Sequence, residues 1–180
     1  MFELRNATPA DAAALECLID VSARGLSPAY AVAQIDAALG TAFGLDRMLI
    51  ADGTNFVAEA GAELVGCGGW SRRATLFGGD GQPGRSAALL DPARDGARIR
   101  AFFVRPDWAR RGIGRALLRR CEDAARNEGF TRAELVATLA GHHLYRALGY
   151  AGNEPFEHRL TNEITIPFIA MQKPLAAHDP

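Results

Sequence analysis

The chemistry of this 180-residue chain is concentrated between Arg98 and Leu118. An apolar run, Phe102-Phe103-Val104, is stopped by Pro106, and three arginines, Arg110, Arg111 and Arg115, are then spaced around Gly112 and Gly114. Where a strand passes through such a turn into a helix, the first N–H groups of the helix have no partner in the chain and point outward. The helix dipole favours negative charge at that end, and glycine lets an anion approach with no Cβ in its path. The arginines add charge-assisted hydrogen bonds. A pyrophosphate would fit at Arg110, Arg111, Gly112, Ile113, Gly114 and Arg115. A solvated basic helix start, with its glycines serving packing alone, is the competing reading, because a lone Gly-x-Gly is frequent by chance.

The familiar nucleotide motifs are not met. A dinucleotide fingerprint needs a third glycine where Leu117 stands, and a phosphate loop of the nucleotide hydrolases needs Gly-Lys followed by Ser or Thr. A second segment, Leu144-Tyr145-Arg146-Ala147-Leu148-Gly149-Tyr150, lies downstream of a strand-like run, Ala133 to Ala137. Together the two segments resemble the GCN5-related N-acetyltransferase family. Its signature Arg/Gln-x-x-Gly-x-Gly/Ala opens the helix that holds the CoA pyrophosphate, and its second motif is Leu-Tyr-x-x-Leu-Gly-Phe/Tyr. The resemblance covers nearly the whole chain.

What the resemblance implies is specific. The fold would be α/β, the acyl-CoA N-acyltransferase arrangement of a mixed, mostly antiparallel central sheet flanked by helices. Acetyl-CoA would be the acyl-donor cosubstrate, with no metal, and the acetyl group would pass directly to an amine. Phe102, Phe103 and Val104 would splay from the strand at Ala133 to Ala137, offering main-chain groups to the pantetheine amides and to the thioester carbonyl, an oxyanion-hole role. Tyr145 would be the general acid, since a phenol with an ordinary pKa of about 10 is protonated at neutral pH and can donate to a departing thiolate. The chain departs from the family pattern in two places. The first Arg/Gln of the signature falls on Ala109, with Arg110 one place late, which implies less side-chain contact with the phosphates. Leu139 stands near where many members have an asparagine that contacts the cofactor.

The general base is not written in the sequence. Glu134, Glu157, His142, His143 and His158 are all ionisable candidates, and the adjacent His142 and His143 lack the spacing of a metal site. Trp70, Arg72 and Arg73 are expected either to line the acceptor cavity and favour a carboxylate-bearing acceptor, or to be a core tryptophan and two solvated arginines. Cys121 falls on the buried face of its helix and Cys67 has no basic partner nearby in sequence, which argues against a thiol acyl carrier.

The elements that must position these residues can be traced along the chain. Phe2 to Arg5 reads as a strand, and Thr8-Pro9-Ala10-Asp11 starts a helix that Leu15, Leu18 and Ile19 carry to about Arg24. A second helix is expected from Ser27 to Leu39. Asn55–Ala60 and Glu63–Trp70 flank Gly61-Ala62 and predict a hairpin. Ser71 to Gly96 is rich in glycine, proline and charge, with a hint of structure at Ala87 to Leu90, and a loop that long suggests a lid or a specificity element. Arg98–Val104 reads as a strand, Gly112–Asn127 as a helix with Ile113, Leu117, Cys121 and Ala124 on one face, and Gly141–Leu148 as a short helix before Gly149. Glu157–Leu160 and Ile166–Gln172 complete the strands.

Bulk properties narrow the function classes. An apolar fraction of 48% and a charged fraction of 23% fit a soluble globular domain, expected as one unit over 1–175 with a tail at 176–180. A net charge of -1 gives no global field for nucleic acid. The three cysteines are scattered among apolar residues, which suggests reduced thiols, and Met1 to Ala10 has no basic stretch leading into an apolar one. A cytoplasmic protein with a small-molecule or protein/peptide amine acceptor, no nucleic acid and no membrane partner is expected, with room for a homodimer. Two rivals make different predictions: a non-catalytic acyl-CoA-binding module would bind without turnover, and a nucleic-acid-binding domain would set the arginines from Arg105 to Arg120 against a phosphate backbone.

Overall fold

A computed structural model describes residues 1–25 and 29–176. In chain order the elements are β1 (Glu3–Asn6), α1 (Ala12–Arg24), α2 (Val32–Ala38), α3 (Arg47–Ala51), β2 (Asn55–Ala60), β3 (Glu63–Ser71), β4 (Ala97–Val104), α4 (Ile113–Asn127), β5 (Arg132–Thr138), α5 (His142–Ala147), β6 (Pro155–Arg159) and β7 (Thr165–Pro174). The seven strands form one sheet in the order β1-β2-β3-β4-β5-β7-β6, and every neighbouring pair is antiparallel except β4 with β5.

Each face of the sheet is covered by helices whose apolar stripes match it. Ile113, Leu117, Leu118 and Cys121 of α4 pack with Tyr145 of α5 on Trp70, Ile99 and Leu135. On the other face Leu15, Leu18 and Ile19 of α1 and Ile35 of α2 cover Val57, Cys67, Phe103 and Phe168. The start of α1 follows its sequence: a 3-10 turn at Pro9–Asp11 leads in, closed by a capping box between Thr8 and Asp11. Gly25 ends the helix without turning left-handed, at φ -70°.

One expectation needs correction, and two features go beyond what the pattern gave. The second helix is shorter than its pattern suggested: residues 29–31 are not helical, Ala31 is extended at the N-cap, and the Ser27-Pro28 opening lies outside the described residues. The short α3 has no periodic signature because five residues give less than two turns; it exists because Asp46 accepts hydrogen bonds from the Met48 and Leu49 N–H groups. Residues 71–96 lack a full strand, yet they fold back on themselves. Arg73 pairs with Leu89, and the Ala74 and Leu90 N–H groups donate to Ala88 and Arg72 carbonyls. This loop is docked on the α2–α3 connection through Gly79 N–H to Thr41 O (2.7 Å) and Asp80 N–H to Leu45 O (2.8 Å).

The sheet is interrupted where the sequence analysis placed the chemistry. β4 pairs with β5 only at Ala97, Arg98 and Ile99. Beyond that point its register against β3 slips between Cys67 and Gly69, and Ala101 takes a left-handed backbone with φ 60°. An extra residue of this kind is a β-bulge, which bends its strand and ends pairing on one side. Here β4 bends away from β5 and opens a cleft between them.

Candidate active site

The cleft has one wall in the second half of β4. Arg105 N–H reaches across to Val65 O of β3 at 3.0 Å, so the two-residue alternation turns the main-chain groups of Phe102 and Val104 the other way, toward the cleft. Val104 N–H is already held there by Ser22 Oγ of α1 at 3.1 Å. Phe102 lies with its ring on Gly68, where a Cβ would sit 2.7 Å from it, while Phe103 turns into the core beneath α1 and packs edge-on to Phe43 at 6.4 Å. The predicted splay of Phe102 to Val104 from β5 is thus present, and Ser22, which no sequence pattern marks, is an addition to it.

The cleft leads to the start of α4. Gly112 is its N-cap with φ 86°, a backbone open to glycine and strained for other residues, and no side chain caps the helix. Arg110 also has a positive φ of 63°. Among the described residues no acceptor in the chain takes the N–H groups of residues 110–115, the condition an anion site needs. Arg110 and Arg115 are exposed and form no ion pair among the described residues, and Arg111 lies over the Trp108 ring at 4.5 Å. Gly114 serves closeness: a Cβ there would meet Leu144 Cδ2 of α5 at 2.9 Å. The two glycines therefore have separate tasks, one in the turn and one in bringing α5 against the mouth of α4.

That contact carries Tyr145 to the cleft. Its ring packs edge-on to Phe102 at 6.2 Å and to Tyr150 at 5.8 Å. The residue is 8% exposed and its hydroxyl has no hydrogen-bond partner among the described residues. Burial, with a smaller contribution from Cys121, pushes the phenol well above its ordinary pKa, so it stays protonated across the physiological range.

The base and acceptor candidates separate by position. Glu134 is tied to Arg98 and Arg132 in the paired part of β4 and β5, away from the cleft. His142 Nε2 lies 3.0 Å from Gly152 O, a donor's geometry, and His143 and Glu157 are exposed. His158 is half-buried, edge-on to Phe77 at 4.9 Å and stacked on Phe168 at 6.0 Å; poor solvation lowers its pKa, so the ring is neutral at pH 7. Trp70 does not line a cavity. It is 1% exposed, in the core against Phe130, and Arg72 on its ring pairs with Glu128 at 2.7 Å. Arg73 lines a cavity with Arg85 and Arg100. Among the described residues no group of three or more His, Cys, Asp or Glu could hold a metal, and no helix is long and apolar enough to cross a membrane.

One buried cluster lay beyond sequence reasoning. Asp46 is fully enclosed, with Arg100 Nε at 2.9 Å and Arg85 Nη2 at 2.8 Å. Arg100 comes from β4 one residue before the bulge, and Arg85 comes from the 71–96 loop, so a single carboxylate joins β4 to the loop. The signal was present but ambiguous: Arg98 and Arg100 flank Ile99 in a largely apolar strand, and an arginine there must find a buried partner or leave the sheet.

Comparison with known proteins agrees with this geometry. The family model described as the acetyltransferase (GNAT) family matches residues 26–150. No curated protein matches the sequence. Among solved structures, a GCN5-related N-acetyltransferase from Rhodopseudomonas palustris is similar over 96% of this chain and 95% of its own, with TM-score 0.71 and 21% identity. PaiA N-acetyltransferase from Thermoplasma acidophilum, in complex with coenzyme A, is similar over 97% and 99%, with TM-score 0.67 and 16% identity. The ribosomal-protein-S18-alanine N-acetyltransferase from Escherichia coli is similar over 99% and 97%, with TM-score 0.59 and 16% identity. At these identities the likeness is one of fold.

Proposed function

The chain belongs to the acetyltransferase (GNAT) family, and from that premise we propose that it transfers an acetyl group from acetyl-CoA directly to the amine of an acceptor. The observation that carries this reading is the parting of β4 from β5 after Ile99 beside a helix start whose N–H groups have no partner among the described residues. A diphosphate suits the main chain of Arg110, Arg111, Gly112, Ile113, Gly114 and Arg115. An extended amide-bearing arm suits the cleft, where Phe102 and Val104 turn peptide groups toward it. The coenzyme A bound to the Thermoplasma relative supports the same choice of ligand.

The roles of the residues follow from where they lie. A peptide N–H of the bulged strand that points at the thioester carbonyl stabilises negative charge as it builds there, in a site already shielded from water by Phe102 and Tyr145. Tyr145, protonated and with its hydroxyl unengaged, donates to the departing thiolate. Ser22 Oγ shares Val104 N–H with the incoming arm or yields it. Direct attack by the amine is favoured over a cysteine carrier, because burial pushes the Cys67 thiol up to about 12 and raises Cys121 well above its ordinary value; neither supplies a thiolate. Of the ionisable candidates, His158 suits removal of the ammonium proton best, being neutral and set against the aromatic wall of Phe77 and Phe168. The acceptor is an amine on a small molecule or on a protein or peptide.

Isothermal calorimetry against CoA and acetyl-CoA, with Gly112→Glu as the altered protein, tests the site. Micromolar binding that the variant loses, followed by thiol release in the presence of amines, is the expected result. No binding by the wild-type protein at millimolar ligand would overturn the reading. Binding without release of thiol across a broad amine panel would make the chain an acyl-CoA-binding module instead.

A further inference from the structure

Beside the start of β4 lies a cavity of about 160 Å³ lined by Met48, Arg73, Thr75, Arg85, Ser86, Ala87 and Arg100. Three guanidinium groups face it, and only two carboxylates answer them. Asp52 pairs with Arg73 at 2.7 Å, and Asp46 is shared by Arg85 and Arg100. The charge within the cluster is therefore positive by one.

The donors are also unsaturated. A guanidinium offers five N–H groups. Arg85 uses its Nη atoms on Asp46 and on the Gly78 and Gly79 carbonyls, leaving Nε without an acceptor among the described residues. Arg100, 5% exposed, places Nε beside Asp46 and donates through Nη1 to Thr75 O, leaving Nη2 without one. Burial lowers the Arg100 pKa, and Arg85 opposes its charge where Asp46 supports it. A cavity with excess positive charge and unspent donors is a site for an anion.

Its position says which anion. Arg100 follows Ile99, the last residue of β4 paired with β5, and immediately precedes the bulge at Ala101, and the groups proposed for the cofactor lie on the other side of that bulge, at Phe102 to Val104. A ligand in the cavity thus approaches the vertex of the cleft without competing for the cofactor's wall. Resting on the acetyltransferase reading, we propose that this cavity is the subsite for a carboxylate carried by the acceptor, held by Arg73, Arg85 and Arg100, while the acceptor's amine reaches the thioester at the bulge.

The test measures kcat/KM by thiol release for pairs of amines that differ only by carboxylate against carboxamide, such as glycine with glycinamide, 4-aminobutyrate with its amide, and trialanine with its C-terminal amide. Binding of succinate is followed by calorimetry in parallel. Ser86 is exposed at the rim, so Ser86→Glu brings a competing carboxylate to the cavity without touching a buried pair, and its melting temperature reports that it folds. The expected result is a preference for the acid form of about tenfold or more, the size of one charge-assisted hydrogen bond, which collapses in Ser86→Glu. Mere obstruction would lower both members of a pair together. Turnover with acid and amide within about threefold overturns the proposal and leaves the acetyltransferase reading standing. Succinate bound by the wild-type protein and not by Ser86→Glu, with no amine turned over, identifies a free-anion site and overturns the acceptor assignment. Neither binding nor turnover overturns both.

Discussion

Replacing Asp46 with asparagine isolates the charge at the centre of the buried cluster. The side chain is fully enclosed and its partners Arg100 and Arg85 are 2% and 20% exposed, so water reaching Arg85 from the cavity replaces the lost carboxylate poorly. Removing one partner of a buried ion pair costs about 3–5 kcal/mol, because the other charge is left uncompensated. Asparagine keeps an oxygen for the Met48 and Leu49 N–H groups, which Asp46 now accepts at 3.1 and 3.4 Å, so the cap of α3 survives and the loss is electrostatic. For a chain of this length each kcal/mol lowers the melting temperature by about 2–4 °C, which gives a fall of roughly 6–20 °C. Urea unfolding and thermal melting of Asp46→Asn measure it. Asp46→Ala, which also removes the cap, loses about 1 kcal/mol more. A cost below about 1 kcal/mol for Asp46→Asn would refute the reasoning, since the two guanidinium groups would then be finding solvation that their burial denies.

Four further outcomes are expected. Tyr145→Phe should lower kcat by about 100-fold, the lower end for loss of a general acid, with KM for acetyl-CoA little changed and the fold as stable as before, because the hydroxyl makes no hydrogen bond among the described residues; an unchanged kcat would remove Tyr145 from the chemistry. Arg110→Gly should stabilise the fold by about 0.5–1 kcal/mol, the relief of about 1–2 kcal/mol of left-handed strain less the entropy that glycine adds to the unfolded chain, yet weaken CoA binding in calorimetry; a destabilised variant would contradict the φ of 63°. Native protein should react with one equivalent of a thiol reagent, at exposed Cys17, and with three after denaturation, since Cys67 and Cys121 are buried; rapid labelling of two or more in the folded state would argue against that packing. Hydrogen bonds from Arg5 hold the Asp11 carboxyl far below the usual carboxylate range, so its contribution to stability is complete above the unfolded value of about 3.9 and fades as pH falls below it. The gap in urea midpoint between wild type and Asp11→Asn should therefore be widest at pH 7 and narrow by pH 3, and a constant gap would speak against this linkage.

The parts of the fold that repeat themselves were legible in the residues. Ile113, Leu117 and Cys121 mark the buried face of α4, Gly61-Ala62 marks the hairpin, and Gly149 marks the end of α5, because each is a local rule acting on a local stretch. The turn into α4 was legible for the same reason, since Arg110, Arg111 and Gly112 are consecutive and the glycine stands at the left-handed N-cap. What escaped depends on partners distant in sequence. Asp46 and Arg100 stand 54 positions apart by their numbers and meet only when the start of α3 docks on the sheet. Ser22 is an ordinary polar residue of α1 until Val104 N–H arrives beside it. Trp70 stayed open between cavity and core because a tryptophan at a strand end can face loop or core with equal local logic, and its packing against Phe130 decides for the core.

The bulge at Ala101 has a bearing on how such a site can be gained or lost. Side chains and peptide groups alternate along a strand with a period of two, so one additional residue reverses the phase of everything after it. Arg100 before Ala101 and Phe102 after it therefore answer to different frames: the first keeps the register that pairs β4 with β5, and the second is shifted out of it. Deleting Ala101 would restore a single frame through Val104, let the strand pair along its full length and close the cleft, although every residue proposed to touch a ligand would still be present. The site depends on a count of residues as much as on their identities, and a survey confined to point substitutions would pass over its most consequential position.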